Sequence, residues 1–235
     1  MSSVDLDYIS INEKLYLPRV QLAPDQKINL FQSHADKICV RLLCDKRIKF
    51  KYQEPANLCC VSPPKFDFYE KVIIHFHGGG FISLSSRSSQ TFTRRWATEL
   101  QVPVFSVDYR LGPEEVFPSA LEDCYSAYLF ITQNLSHHMN IKPKKIMLVG
   151  EGSGGNLVIA LVGLLLKNKK QLPSTIVLMY PEADLREDFS PSRLHALDNC
   201  QIFPSLMMLC HRIYCGEEID NPWASPILLT EEAVN

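Results

Sequence analysis

The chain has 235 residues, enough for one sizeable hydrophobic core with a small appendage. At 46% hydrophobic and 21% charged it has the composition of an ordinary globular domain, which excludes disordered and fibrous classes. The formal net charge of −2 gives no overall electrostatic case for nucleic acid or an anionic membrane, so neither is expected as a partner.

In chain order, residues 1–35 are mixed and punctuated by Pro18 and Pro24, and predict a loosely packed lead-in before a domain over 36–235. KICVRLLC (37–44) and RIKFKY (47–52) predict two strands joined by a tight turn at Asp45-Lys46. The Pro-rich stretch 54–66 predicts a loop. VIIHFH (72–77) is a strand candidate, followed by a polar helix near 88–100 and a second strand, VPVFSVDY (102–109). Ala120, Cys124, Ala127, Tyr128 and Ile131 recur at helical spacing and predict a helix over 118–135. KIMLVG (145–150) is a strand, 156–168 an apolar helix, TIVLMY (175–180) a strand and 204–215 a late helix. Continuous apolar strands separated by helices argue for a parallel sheet covered on both faces.

Leu157–Leu166, the longest apolar run, is too short to span a bilayer, so no transmembrane segment is expected. The acidic start lacks the basic-then-apolar pattern of a signal peptide. The eight cysteines show no C-x-x-C pair and no metal-ligand spacing. A cytoplasmic chain with free thiols, no metal and no cofactor is the expectation.

Two glycine-rich segments carry candidate chemistry. His77-Gly78-Gly79-Gly80 follows a strand, and its three glycines can bring backbone N–H groups close to a ligand, as an oxyanion hole requires; a plain flexible turn is the alternative. Gly150-Glu151-Gly152-Ser153-Gly154-Gly155 lies between a strand and a helix, where a nucleophile elbow G-x-S-x-G belongs. The same string matches the dinucleotide fingerprint G-x-G-x-x-G at Gly150, Gly152 and Gly155, or is a bare turn for close helix–sheet packing.

The surrounding motifs choose between these readings. From Phe76 the chain runs FHGGGF, SRS (86–88), W-A-x-E-L (96–100), DYRLGPE (108–114), FPSALEDC (117–124), GEGSGGNL (150–157), YP (180–181) and SPSRL (190–194). This ordered set resembles the hormone-sensitive lipase family of α/β-hydrolases over roughly 66–230. A dinucleotide site leaves HGGG and DYRLGPE unexplained and lacks an acidic residue at the right distance, because Glu182 and Asp184 fall about thirty residues on rather than about twenty.

The resemblance implies an α/β-hydrolase fold and hydrolysis of carboxylic or acylglycerol esters through a serine acyl-enzyme. It also implies an oxyanion hole from the backbone N–H groups of Gly78, Gly79 and Ser153. Two departures cut against activity. Where the family reads G-D-S-A-G-G-N-L, this chain has Glu151 for aspartate and Gly152 for the nucleophile. Ser153 stands one residue later, rotated by about 100° around a helix, and does not substitute. The family's acid loop and H-G-F segment, after the seventh and eighth strands, have no counterpart after TIVLMY. His75, His77, His137, His138, His195 and His211 all read as structural, leaving no general base with an orienting acid.

The expectation is therefore a sheet of about six mostly parallel strands with an antiparallel edge, lacking the last two strands, and no intact catalytic residue. The alternatives are a non-catalytic acyl- or lipid-binding module, or a piece of a longer chain that carries the missing acid and histidine. An uncovered apolar edge at TIVLMY and reduced cover over helix 156–168 are also expected, with an oligomer or partner meeting that edge.

Overall fold

The computed structural model describes residues 11–18, 37–44, 69–139, 141–188, 190–195 and 203–234. Its strands are β1 (Ile11–Pro18), β2 (Lys37–Cys44), β3 (Tyr69–Phe76), β4 (Val104–Asp108), β5 (Ile141–Glu151) and β6 (Thr175–Met179). The helices are α1 (Gln90–Leu100), α2 (Ser119–Leu129), α3 (Leu135–His138), α4 (Ser153–Lys167), α5 (Pro191–His195), α6 (Pro204–Cys215) and α7 (Glu231–Val234). A π-helical turn, Phe130–Asn134, joins α2 to α3.

The six strands form one sheet in the order β1-β2-β4-β3-β5-β6. β1 with β2 and β2 with β4 are antiparallel, and the remaining pairs are parallel. The mostly parallel α/β sheet with an antiparallel edge is as the sequence predicts. Which strand forms that edge differs. RIKFKY and the turn before it lie outside the described residues, as does the loop 54–66. The outer strand is β1, within the stretch expected to be a loose lead-in. Its eight residues pair one for one with β2, and Leu15 and Leu17 turn inward while Asn12, Lys14 and Tyr16 face out. That period-two alternation was short enough to be missed.

Strand alternation builds a core on each face. Val40, Leu42, Val72, Ile74, Phe105, Val107, Ile146 and Leu148 join the larger core, which α2 and α4 cover. Their neighbours Leu43, Ile73, Val104 and Val149 meet Ala97 and Trp96 of α1 in the smaller one. This two-sided burial is why the strands read as unbroken apolar runs.

The far edge is open as expected: Ile176, Val177 and Leu178 of β6 are 43%, 37% and 39% exposed. The expected loss of cover over α4 does not occur. Val158, Leu161, Leu164 and Leu165 are buried, and the segment after α6 lays Trp223 and Leu229 against Gly163, where a Cβ would lie 3.0 Å from the indole. Sequence reading missed this because the covering segment has no secondary-structure periodicity.

Candidate functional site

The site forms where β3 and β5 end side by side. After β3 the chain turns sharply through Gly79 (φ +113°) and Gly80 (φ +62°). A Cβ at Gly79 would stand 2.2 Å from the Ser83 carbonyl oxygen, so only glycine closes this turn. His77 is fully buried and stacks flat on Tyr109, ring centres 4.3 Å apart. Its Nδ1–H donates to the Gly78 carbonyl at 2.7 Å, and burial holds the ring's pKa below its ordinary value, so it is neutral. Tyr109 donates its hydroxyl proton to the His77 carbonyl at 2.6 Å. His77 thus props the glycine loop.

After β5 the backbone bends at Gly152, with φ +52° and ψ −118°, and α4 begins at Ser153. Close approach fixes the glycines beneath the bend. A Cβ on Gly150 would fall 2.3 Å from the Gly154 oxygen, one on Gly154 would fall 2.1 Å from the Phe76 oxygen, and one on Gly155 would fall 2.8 Å from Pro181. Gly152 differs. Its Cβ would meet nothing nearer than Glu182 Oε1 at 3.3 Å. The Gly152 N–H donates to the Met179 carbonyl at 3.0 Å, and its own carbonyl accepts from Gly155, Asn156 and Glu182.

Glu151 points inward and ties the parts together. Its Oε1 accepts from the Ser89 hydroxyl at 2.7 Å and from the Gly78 N–H at 3.4 Å, and Oε2 accepts from the Tyr180 hydroxyl at 3.2 Å. His75 Nε2 lies 3.8 Å from Oε1, but full burial lowers that ring's pKa to about 3, so the contact is not an ion pair. Ser153 is fully buried, with its hydroxyl 3.5 Å from that of Tyr109. Tyr109 has committed its one proton to His77, so Ser153 is the donor, turned under the loop.

Helix α6 closes the site from above. Cys210 packs on Gly80, Ile213 on Gly112, and Tyr214 stacks on Phe81 with ring centres 3.9 Å apart. The helix also carries His211, whose Nε2 is 3.1 Å from Glu182 Oε2 and whose Nδ1 is 3.1 Å from the Leu185 carbonyl. Glu182 is anchored through its backbone, its carbonyl accepting from Asn156 Nδ2 at 2.8 Å. A carboxylate backed by a buried imidazole therefore stands beside the side-chain-free face of Gly152.

Residues 73–234 match the alpha/beta hydrolase fold family. The chain belongs to that family. It is similar to mouse (Mus musculus) hormone-sensitive lipase, 35% identical over 66% of this chain and 20% of the lipase. It is also similar to an arylesterase of Saccharolobus solfataricus, 36% identical over 64% of this chain and 49% of the arylesterase. The chain thus spans a fifth to a half of the length of these relatives. A hyperthermophilic esterase from Pyrobaculum calidifontis superposes with a TM-score of 0.74 at 24% identity, over 94% of this chain and 63% of the esterase, and shares the fold.

Within this hydrolase fold the two glycine segments stand side by side: Gly78 lies against Glu151 and Gly154 against Phe76 and His77, while Gly79 and Gly80 turn towards Ser83 and Cys210. The sequence reading of His211 as one more structural histidine, with no acid beside it, is incomplete. Glu182 and His211 form a hydrogen-bonded pair at the bend. His137 and His195 lie elsewhere, the former within the short helix α3 and the latter exposed at the end of α5. The only local signal for the pair was the acidic residue following Tyr180-Pro181. Among the described residues, no cluster of three or more His, Cys, Asp or Glu could hold a metal ion. No described helix is long and apolar enough to cross a membrane.

Proposed function

We propose that this protein is a non-hydrolysing member of its esterase-rich family, in which Gly152 occupies the nucleophile position. One observation carries the reading: the strand-to-helix bend has a positive-φ crest, but that crest is glycine and offers no attacking atom. Ser153 does not replace it, because its hydroxyl is buried and directed at Tyr109. Gly78, Gly79 and Ser153 are the proposed oxyanion donors, and Gly78 already leans on Glu151. Glu182 stands where a nucleophile would approach its substrate, with His211 behind it rather than in front.

The fitting ligand is a neutral acyl ester, since a free fatty-acid carboxylate would meet Glu182 head-on. A fluorophosphonate probe is expected to leave the purified full chain unlabelled, while a slowly hydrolysed neutral acyl ester binds without turnover. Covalent labelling at Ser153, abolished by Ser153→Ala, would overturn the reading.

A further inference from the structure

At the opposite edge of the sheet from β6, a cleft of about 490 Å³ opens between β1, β2 and the start of α1. It is lined by Asn12, Arg41, Arg87, Gln90 and Arg94. None of these residues belongs to the site at Gly152, and the chain's net charge of −2 hides their concentration of positive charge.

Arg41 is the informative member. It is only 8% exposed, yet no carboxylate among the described residues lies within ion-pair distance of it. Its Nε donates to the Ser86 hydroxyl at 3.1 Å, and Ser86 in turn donates to Asp108 Oδ2 at 2.8 Å, so Asp108 compensates it only at one remove. Arg41 Nη1 donates to Asn12 Oδ1 at 2.8 Å. A buried guanidinium with no direct counter-charge is costly unless something supplies one. Lys14, paired with Arg41 across the strands, adds a further positive charge.

The amides sharpen this. A guanidinium only donates, so Asn12 must turn its oxygen to Arg41 and its nitrogen to Gln90. Asn12 Nδ2 does donate to Gln90 Oε1, at 3.0 Å. Both amide oxygens lining the cleft are therefore occupied from within. What Asn12, Arg41, Arg87 and Gln90 have left to offer is N–H donors. Planar guanidinium forks beside amide donors match a phosphate, whose oxygens accept several charge-assisted bonds at once. The volume exceeds a bare ion and leaves room for the group that bears it.

We propose that this cleft binds a phosphate monoester, either on a soluble metabolite or on a lipid headgroup. The inference is independent of whether Gly152 permits hydrolysis. Calorimetric titration of the full chain with glycerol 3-phosphate, and flotation with phosphatidylcholine vesicles containing phosphatidic acid, separate the two sources. Saturable binding in either arm is expected, weakened roughly tenfold by Arg87→Gln, as loss of one charge-assisted contact implies. Arg87 is exposed, so this variant folds even if Arg41→Gln does not. Arg95→Gln is the control, because Arg95 is on the same helix but pairs with Glu99 and does not line the cleft. Binding in neither arm, or equal loss with Arg95→Gln and Arg87→Gln, would overturn the proposal.

Discussion

The underside and the crest of the bend between β5 and α4 are made of the same residue for opposite reasons. Beneath it, Gly150 and Gly154 are glycine because backbone atoms of the bend and of β3 occupy the space a side chain would need. At the crest, Gly152 has no backbone in the way of a side chain, only the end of the Glu182 side chain at 3.3 Å, and its positive φ favours the choice. The contrast teaches that this fold's architecture and its chemistry are separable. Backbone contact between β3 and α4 keeps the bend in shape, and that contact asks nothing of the residue at the crest.

Two alanine substitutions test the contrast directly. Gly154→Ala drives a methyl to 2.1 Å from the Phe76 carbonyl and must prise α4 from β3. A loss above about 4 kcal/mol is expected, a large share of the roughly 5–15 kcal/mol that holds an ordinary domain folded. Gly152→Ala brings backbone strain at φ +52° and a tight 3.3 Å contact with the end of the Glu182 side chain but none with backbone, so about 1–2 kcal/mol is expected. Urea unfolding followed by circular dichroism measures both, and equal costs would erase the distinction.

The underside also predicts a pH response. His75, beneath Glu151 and bonded to Ser106 at 2.8 Å, titrates near 3 in the folded protein because burial penalises its charge, against an ordinary 6.5. The unfolded chain therefore takes up a proton near 6.5 that the folded chain refuses until about 3. Stability from this residue is complete above 6.5 and is lost progressively as the pH falls towards 3. Between pH 7 and pH 5 this amounts to about 2 kcal/mol. The urea midpoint should fall accordingly, and a His75→Gln variant should show a flatter profile.

What could be foreseen from sequence follows the same division. Strands β3, β4 and β5 announce themselves because both faces are buried, β6 does so as an apolar run although its side chains are exposed, and the two glycine segments do so because close backbone approach demands glycine at fixed spacing. β1 was hidden: its register comes from pairing with β2 rather than from its own short pattern. The pair of Glu182 and His211 was hidden too, because 29 residues separate them and only the docking of α6 on the glycine loop brings them together. The arginine cleft draws on β1, β2 and α1, and no local string contains it.

The smallest expected effect is at the crest itself. Gly152→Ser places a hydroxyl at the crest, its Cβ fitting at 3.3 Å from Glu182 Oε1 if that carboxylate end gives slightly. The first group that hydroxyl meets is the carboxylate, and the imidazole lies on the carboxylate's far side, with Nε2 turned to Glu182 Oε2. The order is serine, acid, histidine, whereas proton transfer needs the histidine between the other two. Without it the serine forfeits most of the roughly 10⁶-fold in kcat that a complete triad supplies. Hydrolysis of p-nitrophenyl acetate by Gly152→Ser should therefore stay within about tenfold of the unmodified chain, a barrier change of only about 1.4 kcal/mol. A rise of about a thousandfold, lost again with His211→Ala, would mean that the pair rearranges around a new nucleophile. The crest would then retain more of the family's chemistry than its present side chains reveal.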